Sequence, residues 1–240
     1  MIITSRQNTI IKAFKKPEKQ SLVIEGEKLI GEALTAKFKL QYLLFTERAK
    51  HKLNLPGTVI SSDLSEYISD TKSPQGVFAM FEKPQTEFDF AKSQRVMLFD
   101  SIQDPGNAGA IIRSCEAFGF DCVVLSNDSA DVFNSKVIRA SAGSVFRLPC
   151  VRGDLRESIP QLQEQGFAVY AAALDENAVS LRSMGRPTAG SAAIVIGNEG
   201  RGVSAEVLAL CDHKLYIPIS GTESLNAAVA AGVICYELGK

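Results

Sequence analysis

The carboxyl-terminal segment places the strongest constraint on the fold. Residues 227–238 (Ala-Ala-Val-Ala-Ala-Gly-Val-Ile-Cys-Tyr-Glu-Leu) predict a helix that is apolar on nearly every side, and such a helix must be buried all round. Residues 215–226 (Leu-Tyr-Ile-Pro-Ile-Ser-Gly-Thr-Glu-Ser-Leu-Asn) predict an apolar strand that ends at Pro218 and then a polar loop. This loop brings Ser224 and Asn226 to the first turn of the helix, where unpaired backbone N–H groups can bind a polar ligand. Taken alone, the segment fits a capped core helix as well as a binding site.

Two more polar loops follow apolar strands. Residues 104–113 (Asp-Pro-Gly-Asn-Ala-Gly-Ala-Ile-Ile-Arg) come after the predicted strand 96–100. Residues 194–204 (Ile-Val-Ile-Gly-Asn-Glu-Gly-Arg-Gly-Val-Ser) contain the end of the predicted strand 192–196. Open parallel sheets bind their ligands at the carboxyl ends of the strands. The three loops therefore predict one shared site at one edge of such a sheet.

From about residue 95 onward, predicted strands alternate with predicted helices, which specifies an α/β fold with a parallel sheet covered on both faces. The predicted strands are 96–100, 123–126, 169–173, 192–196 and 215–219, and the predicted helices are 108–118, 135–141, 205–209 and 225–238. A dinucleotide-binding fold is disfavoured, because no Gly-x-Gly-x-x-Gly follows the first strand. The glycine-rich segment 197–202 comes only after the penultimate strand.

The first third of the chain predicts a separate, small α/β domain. Its predicted strands are 21–25, 40–45, 58–60 and 77–81, and its predicted helices are 27–36 and 63–69, the second begun by an acidic cap at Asp63. Residues 82–94 are polar, contain Pro84 and show no sustained period. We therefore predict one domain over 1–84, a linker over 85–94 and a second domain over 95–240.

The composition excludes several classes of protein. No apolar run reaches the roughly 20 residues that span a bilayer, so no membrane partner is predicted. The five cysteines are odd in number and never form Cys-x-x-Cys, which favours reduced thiols in a cytoplasmic protein. The start of the sequence also lacks the form of a secretion signal. The two histidines, His51 and His213, are far from each other and from any cysteine pair, which favours a chemistry without metal.

The distribution of charge is more informative than its sum. A formal net charge of −1 argues against indiscriminate binding to polyanions. Residues 1–40 nevertheless contain eight basic residues against four acidic ones. The basic residues are Arg6, Lys12, Lys15, Lys16, Lys19, Lys28, Lys37 and Lys39, and a second group comprises Lys136, Arg139, Arg147, Arg152 and Arg156. Any one of them is better explained as part of a solvated surface, but two clusters together indicate an RNA footprint.

In their order along the chain, the three loop segments resemble the three signature motifs of the SpoU/TrmH family of RNA methyltransferases, members of the knotted SPOUT superfamily. The resemblance covers residues 95–240 at the level of motifs, and the joint occurrence of three motifs makes it specific. It implies a SPOUT domain with a carboxyl-terminal trefoil knot, in which the last helix threads through the loop that holds the second motif. Periodicity does not reveal a knot, and the general rule for protein chains opposes one.

The amino-terminal part resembles the substrate-binding domain that precedes many SpoU-type catalytic domains. The matching blocks are residues 5–8, 11–12, 23–29 and 32–34. That domain is similar to small ribosomal proteins that bind kinked RNA. Family members carry a longer basic helix between these blocks, whereas here residues 15–19 (Lys-Lys-Pro-Glu-Lys) are short and Pro17 should end a helix.

The resemblance implies that the second and third motifs bind S-adenosylmethionine. This cofactor carries an already activated methyl group on its sulfonium, so the enzyme mainly has to position an acceptor. An adenosine cofactor requires backbone contacts for adenine, a polar contact for ribose and an apolar floor, and glycines let the backbone approach it closely. The implied cofactor residues are Gly197, Asn198, Glu199, Gly200, Ile217, Pro218, Ser224, Leu225 and Asn226.

The implied catalytic residues on the acceptor side are Asn107, Arg113, Glu199, Ser224 and Asn226. Asn107 is predicted at the amino end of a helix, where an N-cap is its structural alternative. Arg113 stands in an otherwise apolar stretch and needs a partner, for which Glu199 is the natural candidate. In family enzymes the matching arginine is proposed to take the proton of the ribose 2′-hydroxyl. Bidentate binding of the target phosphate is physically easier, because arginine keeps its proton up to about pH 12.

The resemblance also implies partners. Arg139, in the segment 136–144, matches another family segment and is expected to contact the RNA backbone, with an ion pair to a neighbouring acid as the alternative. The other RNA-binding candidates are Lys136 in the same segment and Lys12, Lys15 and Lys16 in the amino-terminal domain. A homodimer through the knotted region is implied, with the last helix near the interface. The apolar residues that agree with this interface are Val229, Val233 and Leu238.

We predict an S-adenosylmethionine-dependent RNA 2′-O-ribose methyltransferase that acts on ribosomal RNA, because two-domain relatives more often modify ribosomal RNA. The alternatives are a tRNA 2′-O-methyltransferase, a base methyltransferase of the same superfamily and a non-catalytic RNA-binding protein. A nucleotide-binding α/β enzyme unrelated to RNA is disfavoured by the basic amino-terminal part and the missing phosphate loop.

Overall fold

The computed structural model describes residues 2–49, 55–85, 88–184, 190–221 and 224–240. Two compact units contain these residues, and the first of them ends at Gln85. Each unit has its own β-sheet with helices packed on it.

Within residues 2–49 and 55–85, the first unit contains a five-stranded mixed sheet and three α-helices. Its strands are β1 (Ile2–Ile3), β2 (Ser21–Glu25), β3 (Leu40–Thr46), β4 (Thr58–Ile60) and β5 (Val77–Glu82), and its helices are α1 (Thr9–Lys15), α2 (Glu27–Thr35) and α3 (Ser62–Ile68). The strand order is β1-β4-β3-β5-β2. Strands β1, β4 and β3 run parallel, whereas β5 runs antiparallel to both of its neighbours.

Local sequence explains the helix ends in this unit. Helix α1 stops at Lys15, two residues before Pro17, and buries Ile11 and Phe14 against the sheet. Helix α3 was predicted to begin at an acidic cap, Asp63, but Asp63 does not cap it. The Ser61 hydroxyl accepts the Leu64 N–H instead, because Ser61 is the residue with extended backbone just before the first turn.

The second unit is a seven-stranded sheet in which every registered strand pair is parallel. Its strands are β6 (Arg95–Asp100), β7 (Cys122–Leu125), β8 (Cys150–Arg152), β9 (Phe167–Ala172), β10 (Val179–Ser180), β11 (Ser191–Gly197) and β12 (His213–Tyr216). Its helices are α4 (Pro105–Ala117), α5 (Ser135–Ala140), α6 (Leu155–Glu164), α7 (Leu181–Met184), α8 (Ala205–Leu208) and α9 (Ala227–Leu238). The strand order is β10-β12-β9-β11-β6-β7-β8. The predicted α/β fold with a parallel sheet is confirmed.

The boundaries of two predicted elements were wrong. Helix α4 starts at Pro105 rather than at residue 108, because the Asp104 side chain accepts the Asn107 N–H at 2.8 Å and proline suits the first helical position. The last strand, β12, ends at Tyr216, before Pro218. Strands β8 and β10 and helices α6 and α7 were not predicted.

The segment proposed as a linker, 85–94, includes residues 86 and 87, which lie outside the described residues. Its following part belongs to the second unit. Phe88 and Phe90 stack edge to face with ring centroids 5.3 Å apart and pack against the core of the parallel sheet.

Helix α9 is not covered on all sides within one chain, contrary to the prediction. Ala231, Ile234, Cys235 and Leu238 are buried, and the helix packs on α4. Val229, Val233 and Tyr236 are 53%, 37% and 57% exposed and form an apolar stripe along the other side. Leu238, expected near an interface between subunits, is instead fully buried inside the chain.

The chain end is tied into the second unit. The Arg95 guanidinium donates to the carbonyl of Leu238 at 2.6 Å, and the Lys240 N–H donates to the carbonyl of Phe118 at 3.0 Å. Among the residues that the structure places, none of the helices combines the length and apolar character needed to cross a bilayer.

Candidate functional site

A cavity of about 520 Å³ opens at the carboxyl edge of the parallel sheet. It lies where β9, β11 and β12, which are neighbours in the sheet, end. Its floor is apolar and comes from the strand ends and from α9, with Ile196, Leu215, Ala230 and Ile234 among its residues. The volume falls within the range of about 300–1,000 Å³ that holds small molecules and cofactors.

Most of the residues predicted to bind a cofactor line this cavity. They are Gly197, Asn198, Glu199, Gly200, Ile217, Ser224 and Leu225. Pro218 and Asn226 do not line it. Pro218 follows the end of β12, and Asn226 instead caps α9, where its side-chain oxygen accepts the N–H groups of Ala228 and Val229.

The loop after β11 closes on itself and leaves no room for a side chain at its start. Asn198 and Gly202 exchange two backbone hydrogen bonds of 3.0 and 2.9 Å. The Asn198 side chain also accepts the N–H groups of Gly200 and Arg201. A Cβ at Gly197 would lie 2.1 Å from backbone atoms of Gly202, so only glycine fits there. A Cβ at Gly202 would have nothing within 4 Å, and one at Gly200 would meet only Asn198 Oδ1 at 3.7 Å, so a ligand can approach the backbone of this turn closely.

One hydrogen-bonded chain of side chains connects the three loops. The Asn226 amide donates to Asn107 Oδ1 at 3.0 Å, and the Asn107 amide donates to Glu199 Oε1 at 3.1 Å. These residues come from the third, first and second loop respectively, so the predicted meeting of the loops occurs. Asn107 is not the N-cap of its helix, since Asp104 has that position and leaves the Asn107 side chain to bridge its two partners.

Glu199 is held as a carboxylate. Partial burial acts to raise its pKa, but hydrogen bonds from the Asn107 side chain and from the N–H groups of Glu199, Asp104 and Gln103 together lower it. The Asp104 N–H donates to Glu199 Oε1 at 3.2 Å. The site therefore contains a fixed negative charge, which suits an acceptor of hydrogen bonds rather than a proton donor.

The predicted pairing of Arg113 with Glu199 was wrong. Arg113 is exposed on α4, and Glu199 is bonded to Asn107 and Asp104 instead. The stretch around Arg113 is apolar because Ile111, Ile112 and Cys115 turn inward, whereas Arg113 lies on the opposite side of the helix. A charge in that position is solvated and needs no buried partner.

Comparison with known proteins identifies the fold and its two parts. A family model described as the SpoU rRNA Methylase family matches residues 94–236, and one described as the MRM3-like substrate binding domain matches residues 14–79. The chain belongs to the SpoU rRNA methylase family.

Relatives of this SpoU protein match along its whole length. The 23S rRNA (guanosine(2553)-2′-O)-methyltransferase RlmP of Bacillus subtilis is 35% identical, over 98% of each chain. An AdoMet-bound rRNA methyltransferase from Sinorhizobium meliloti superimposes with a TM-score of 0.85 at 26% identity, over 99% of this chain and 96% of that one. The SpoU methyltransferase AviRb from Streptomyces viridochromogenes, in complex with AdoMet, gives 0.81 at 26% identity, over 96% and 97%. The chain is an S-adenosylmethionine-dependent RNA methyltransferase.

Several residues of the SpoU cavity were missed by the sequence analysis. Ala172, Ala173 and Leu174 form one wall, and Arg201 and Tyr216 also line the cavity. The wall could have been found, because the strand 169–173 was predicted and the rule that ligands bind at carboxyl strand ends applies to it as well. Arg201 belongs to the second motif but was not predicted to line the site.

The two basic groups of this SpoU chain differ in how much charge they leave available. Lys136 and Arg139 are exposed on α5, and Lys12, Lys15 and Lys16 are exposed on and just after α1. Three members of the second group have partners within the chain. Arg147 pairs with Glu116, Arg156 pairs with Asp154, and Arg152 donates to backbone carbonyls. Among the described residues, Lys136 and Arg139 are the two members of this group whose side chains have no partner within the chain.

Proposed function

We propose that the enzyme methylates the ribose 2′-hydroxyl of the 23S rRNA guanosine that corresponds to guanosine 2553, the target in the name of the B. subtilis relative. The observation that carries this proposal is the contact between Asn226, Asn107 and Glu199 beside a cofactor-sized cavity. The match to that relative over 98% of both chains supports the choice of target, because it includes both units.

The cavity suits S-adenosylmethionine. The backbone of the Asn198–Gly202 turn is open at Gly202, Ser224 is among the polar residues of the lining, and Leu225 with Ile234 provides apolar surface. Adenosine requires this combination of backbone, hydroxyl and apolar contacts. When bound, the cofactor supplies an activated methyl group on a sulfonium.

The acceptor ribose lies next to the chain of side chains from the three loops. Asn107 and Asn226 orient each other, and ionised Glu199 fixes the Asn107 amide. Such a connected polar network holds the acceptor in one orientation, which is the main requirement for methyl transfer. Arg113, exposed on the same helix as Asn107, binds a phosphate of the target strand in a bidentate fork.

The first unit binds RNA through the surface formed by α1 and its neighbours. Tyr67 brings two cations together: Arg6 Cζ lies 4.6 Å and Lys15 Nζ lies 5.4 Å from the centre of its ring. Lys16, which follows Lys15 directly, and Lys12, three residues before Lys15, are also exposed. Two positive charges next to one aromatic ring repel each other, and a bound anion reduces this repulsion. The phosphate backbone of RNA supplies a row of such anions.

Replacing Arg6 by alanine should weaken RNA binding and reduce the slope of log K against log salt by about 1, as for one lost phosphate contact. Tyr67→Leu should weaken binding as well, because Arg6 and Lys15 lose the ring that holds them. Tyr67→Phe keeps the ring and is the matched control, with binding close to wild type. Filter binding of an rRNA fragment at several salt concentrations measures all three. Equal slopes for Arg6→Ala and wild type would contradict this role.

The enzyme is proposed to act as a cytoplasmic homodimer with a carboxyl-terminal trefoil knot. Support for the dimer comes from the exposed apolar stripe of Val229, Val233 and Tyr236 on α9. Support for the knot comes from membership of the SpoU family. Five cysteines without a disulfide agree with a cytoplasmic protein.

Val233→Glu should convert the dimer to a monomer, because it places a charge in the middle of an apolar interface. Light scattering at micromolar concentration measures the mass. Tyr42→Glu, which alters an exposed apolar residue in the first unit, is the control and should remain dimeric. A wild-type protein that is monomeric under these conditions would refute the proposed dimer.

The target itself is tested with RNA from a strain that lacks the gene. The purified enzyme and S-adenosylmethionine should restore a primer-extension stop at the proposed guanosine of 23S rRNA and should leave tRNA unmethylated. A stop at another nucleotide would change the assigned position, and methylation of tRNA alone would favour the tRNA alternative.

A further inference from the structure

A polar clamp holds the loop that follows β7, residues 126–130. The Arg152 guanidinium donates four hydrogen bonds to backbone carbonyls of this loop, over distances of 2.8 to 3.1 Å. The carbonyls belong to Ser126, Asn127, Ser129 and Ala130. Five N–H donors in a rigid plane make arginine well suited to fix several carbonyls at once. The loop therefore has one defined shape.

This loop in turn holds Ser101, the residue directly after β6. Ser101 has φ of 60°, in the left-handed region that residues other than glycine seldom adopt. Its N–H donates to Ser126 Oγ at 2.9 Å, and its hydroxyl donates to Asp128 at 2.5 Å. Asp128 also accepts the Ser126 hydroxyl at 2.7 Å. A strained backbone conformation of this kind persists only where its surroundings enforce it.

The carbonyl of Ser101 reaches the second loop. It accepts the Asn198 side-chain amide at 2.9 Å. The oxygen of the same amide accepts the N–H groups of Gly200 and Arg201 and so fixes the turn that lines the cavity. A change in the direction of the Ser101 carbonyl would therefore move that turn.

Asp128 is the first residue in the series of contacts that leads through Ser101 to Asn198, but it does not line the cavity. The hydroxyls of Ser101 and Ser126 lower the pKa of Asp128, so an ionised carboxylate accepts both. Asp128 is exposed, and neither Ser101 nor Ser126, the residues that it bonds, belongs to the three motifs. Its charge also acts on Arg201, which lines the cavity, so the contribution of Ser101 has to be measured separately from this direct one.

We propose that Asp128 is a positioning residue for cofactor binding: it keeps Ser101 left-handed, and the Ser101 carbonyl then sets the Asn198 turn. The inference rests on the proposed function only in that the cavity beside this turn is the S-adenosylmethionine site. It assigns a role to the β7 loop, which belongs to none of the three motifs.

The test is a rescue experiment. Asp128→Ala should raise the Kd for S-adenosylmethionine, measured by calorimetry, about tenfold, which corresponds to about 1.4 kcal/mol. The kcat at saturating cofactor and RNA should stay within about a factor of two of wild type, as expected when ground-state and transition-state binding weaken equally. Adding Ser101→Gly to this variant should return the Kd to within about twofold of wild type, because glycine adopts a positive φ without help from Asp128.

The controls separate positioning from general instability. Asp63→Ala removes an exposed carboxylate in the first unit and should bind the cofactor as wild type does. Asp128→Asn keeps the shape and one acceptor and replaces the alanine variant if that variant does not fold. Wild-type affinity in Asp128→Ala, or a double variant that binds as weakly as the single one, would overturn the inference alone. Failure of the wild-type protein to bind the cofactor would overturn the proposed function with it.

Discussion

Gly197→Ala should weaken the binding of S-adenosylmethionine about 100-fold. The added methyl carbon would lie 2.1 Å from the carbonyl carbon of Gly202 and from the N atom of Val203, where ordinary contacts between carbon atoms measure about 3.5–4.0 Å. Both neighbours are backbone atoms of the turn, so the turn has to move away from β11. A distortion of about 3 kcal/mol would weaken binding about 100-fold.

Calorimetry with purified protein measures this loss, and Gly31→Ala is the matched control. Gly31 lies within α2 of the first unit, and an added methyl group there would have nothing within 4 Å. This variant should bind the cofactor as wild type does and should unfold at the same or a slightly higher temperature. Normal affinity in Gly197→Ala would show that the turn after β11 does not shape the cofactor site.

Arg113→Ala should lower kcat/KM for methyl transfer about 100-fold, because loss of a charge-assisted bidentate contact to phosphate costs up to about 3 kcal/mol. Arg113→Lys should retain about a tenth of the wild-type activity, since it keeps the charge but loses the planar fork. Transfer of a tritiated methyl group to RNA measures both. Arg113 is exposed on α4, a position that suits a contact with a phosphate of a bound RNA strand.

Cofactor affinity is the internal control for the Arg113 variants. Arg113 does not line the cavity, so both variants should bind S-adenosylmethionine as wild type does. Complete loss of turnover in Arg113→Lys, with normal binding of cofactor and RNA, would contradict phosphate binding as the main role. That result would favour removal of the 2′-hydroxyl proton by the arginine.

The parallel sheet could be predicted because its central strands are short apolar runs, each followed by a polar loop. Strand β6 is buried along its whole length and β11 at every residue after Ser191, and buried strands produce this signal. Strand β10 has only two residues and β8 is partly exposed, so neither forms an apolar run. Helix α6 buries Leu155, Ile159 and Leu162 at helical spacing, but Pro160 inside it interrupts the pattern of a helix.

The meeting of the three loops could be predicted, whereas the individual contacts could not. Strand order places the ends of β6, β11 and β12 at one edge, which follows from parallel connections. The partner of Glu199 depends on which side of α4 faces it. An apolar stretch with one arginine indicates a largely buried helix. It does not show that Arg113 is exposed to solvent, or that Asn107 lies on the side of the helix that faces the site.

The clamp around Ser101 gave no signal in the sequence. Its members, Ser126, Asp128 and Arg152, are common polar residues that lie on one loop and one strand. The residue with the left-handed conformation is a serine rather than a glycine, so its residue type does not predict the turn. Arg152 was interpreted as part of an RNA-binding surface. Its four partners are backbone carbonyls, which every residue has, so the sequence does not indicate that this arginine is already bound within the chain.

The central claim is that the three loops form one site that transfers a methyl group to a sugar oxygen. Incubating the enzyme with tritiated S-adenosylmethionine and unmodified ribosomal RNA, followed by alkaline hydrolysis, tests it most directly. A methylated 2′-oxygen blocks cleavage at its own linkage, so the label should appear in alkali-resistant dinucleotides. Label released entirely in mononucleotides, or no transfer by an enzyme that binds the cofactor, would contradict the claim.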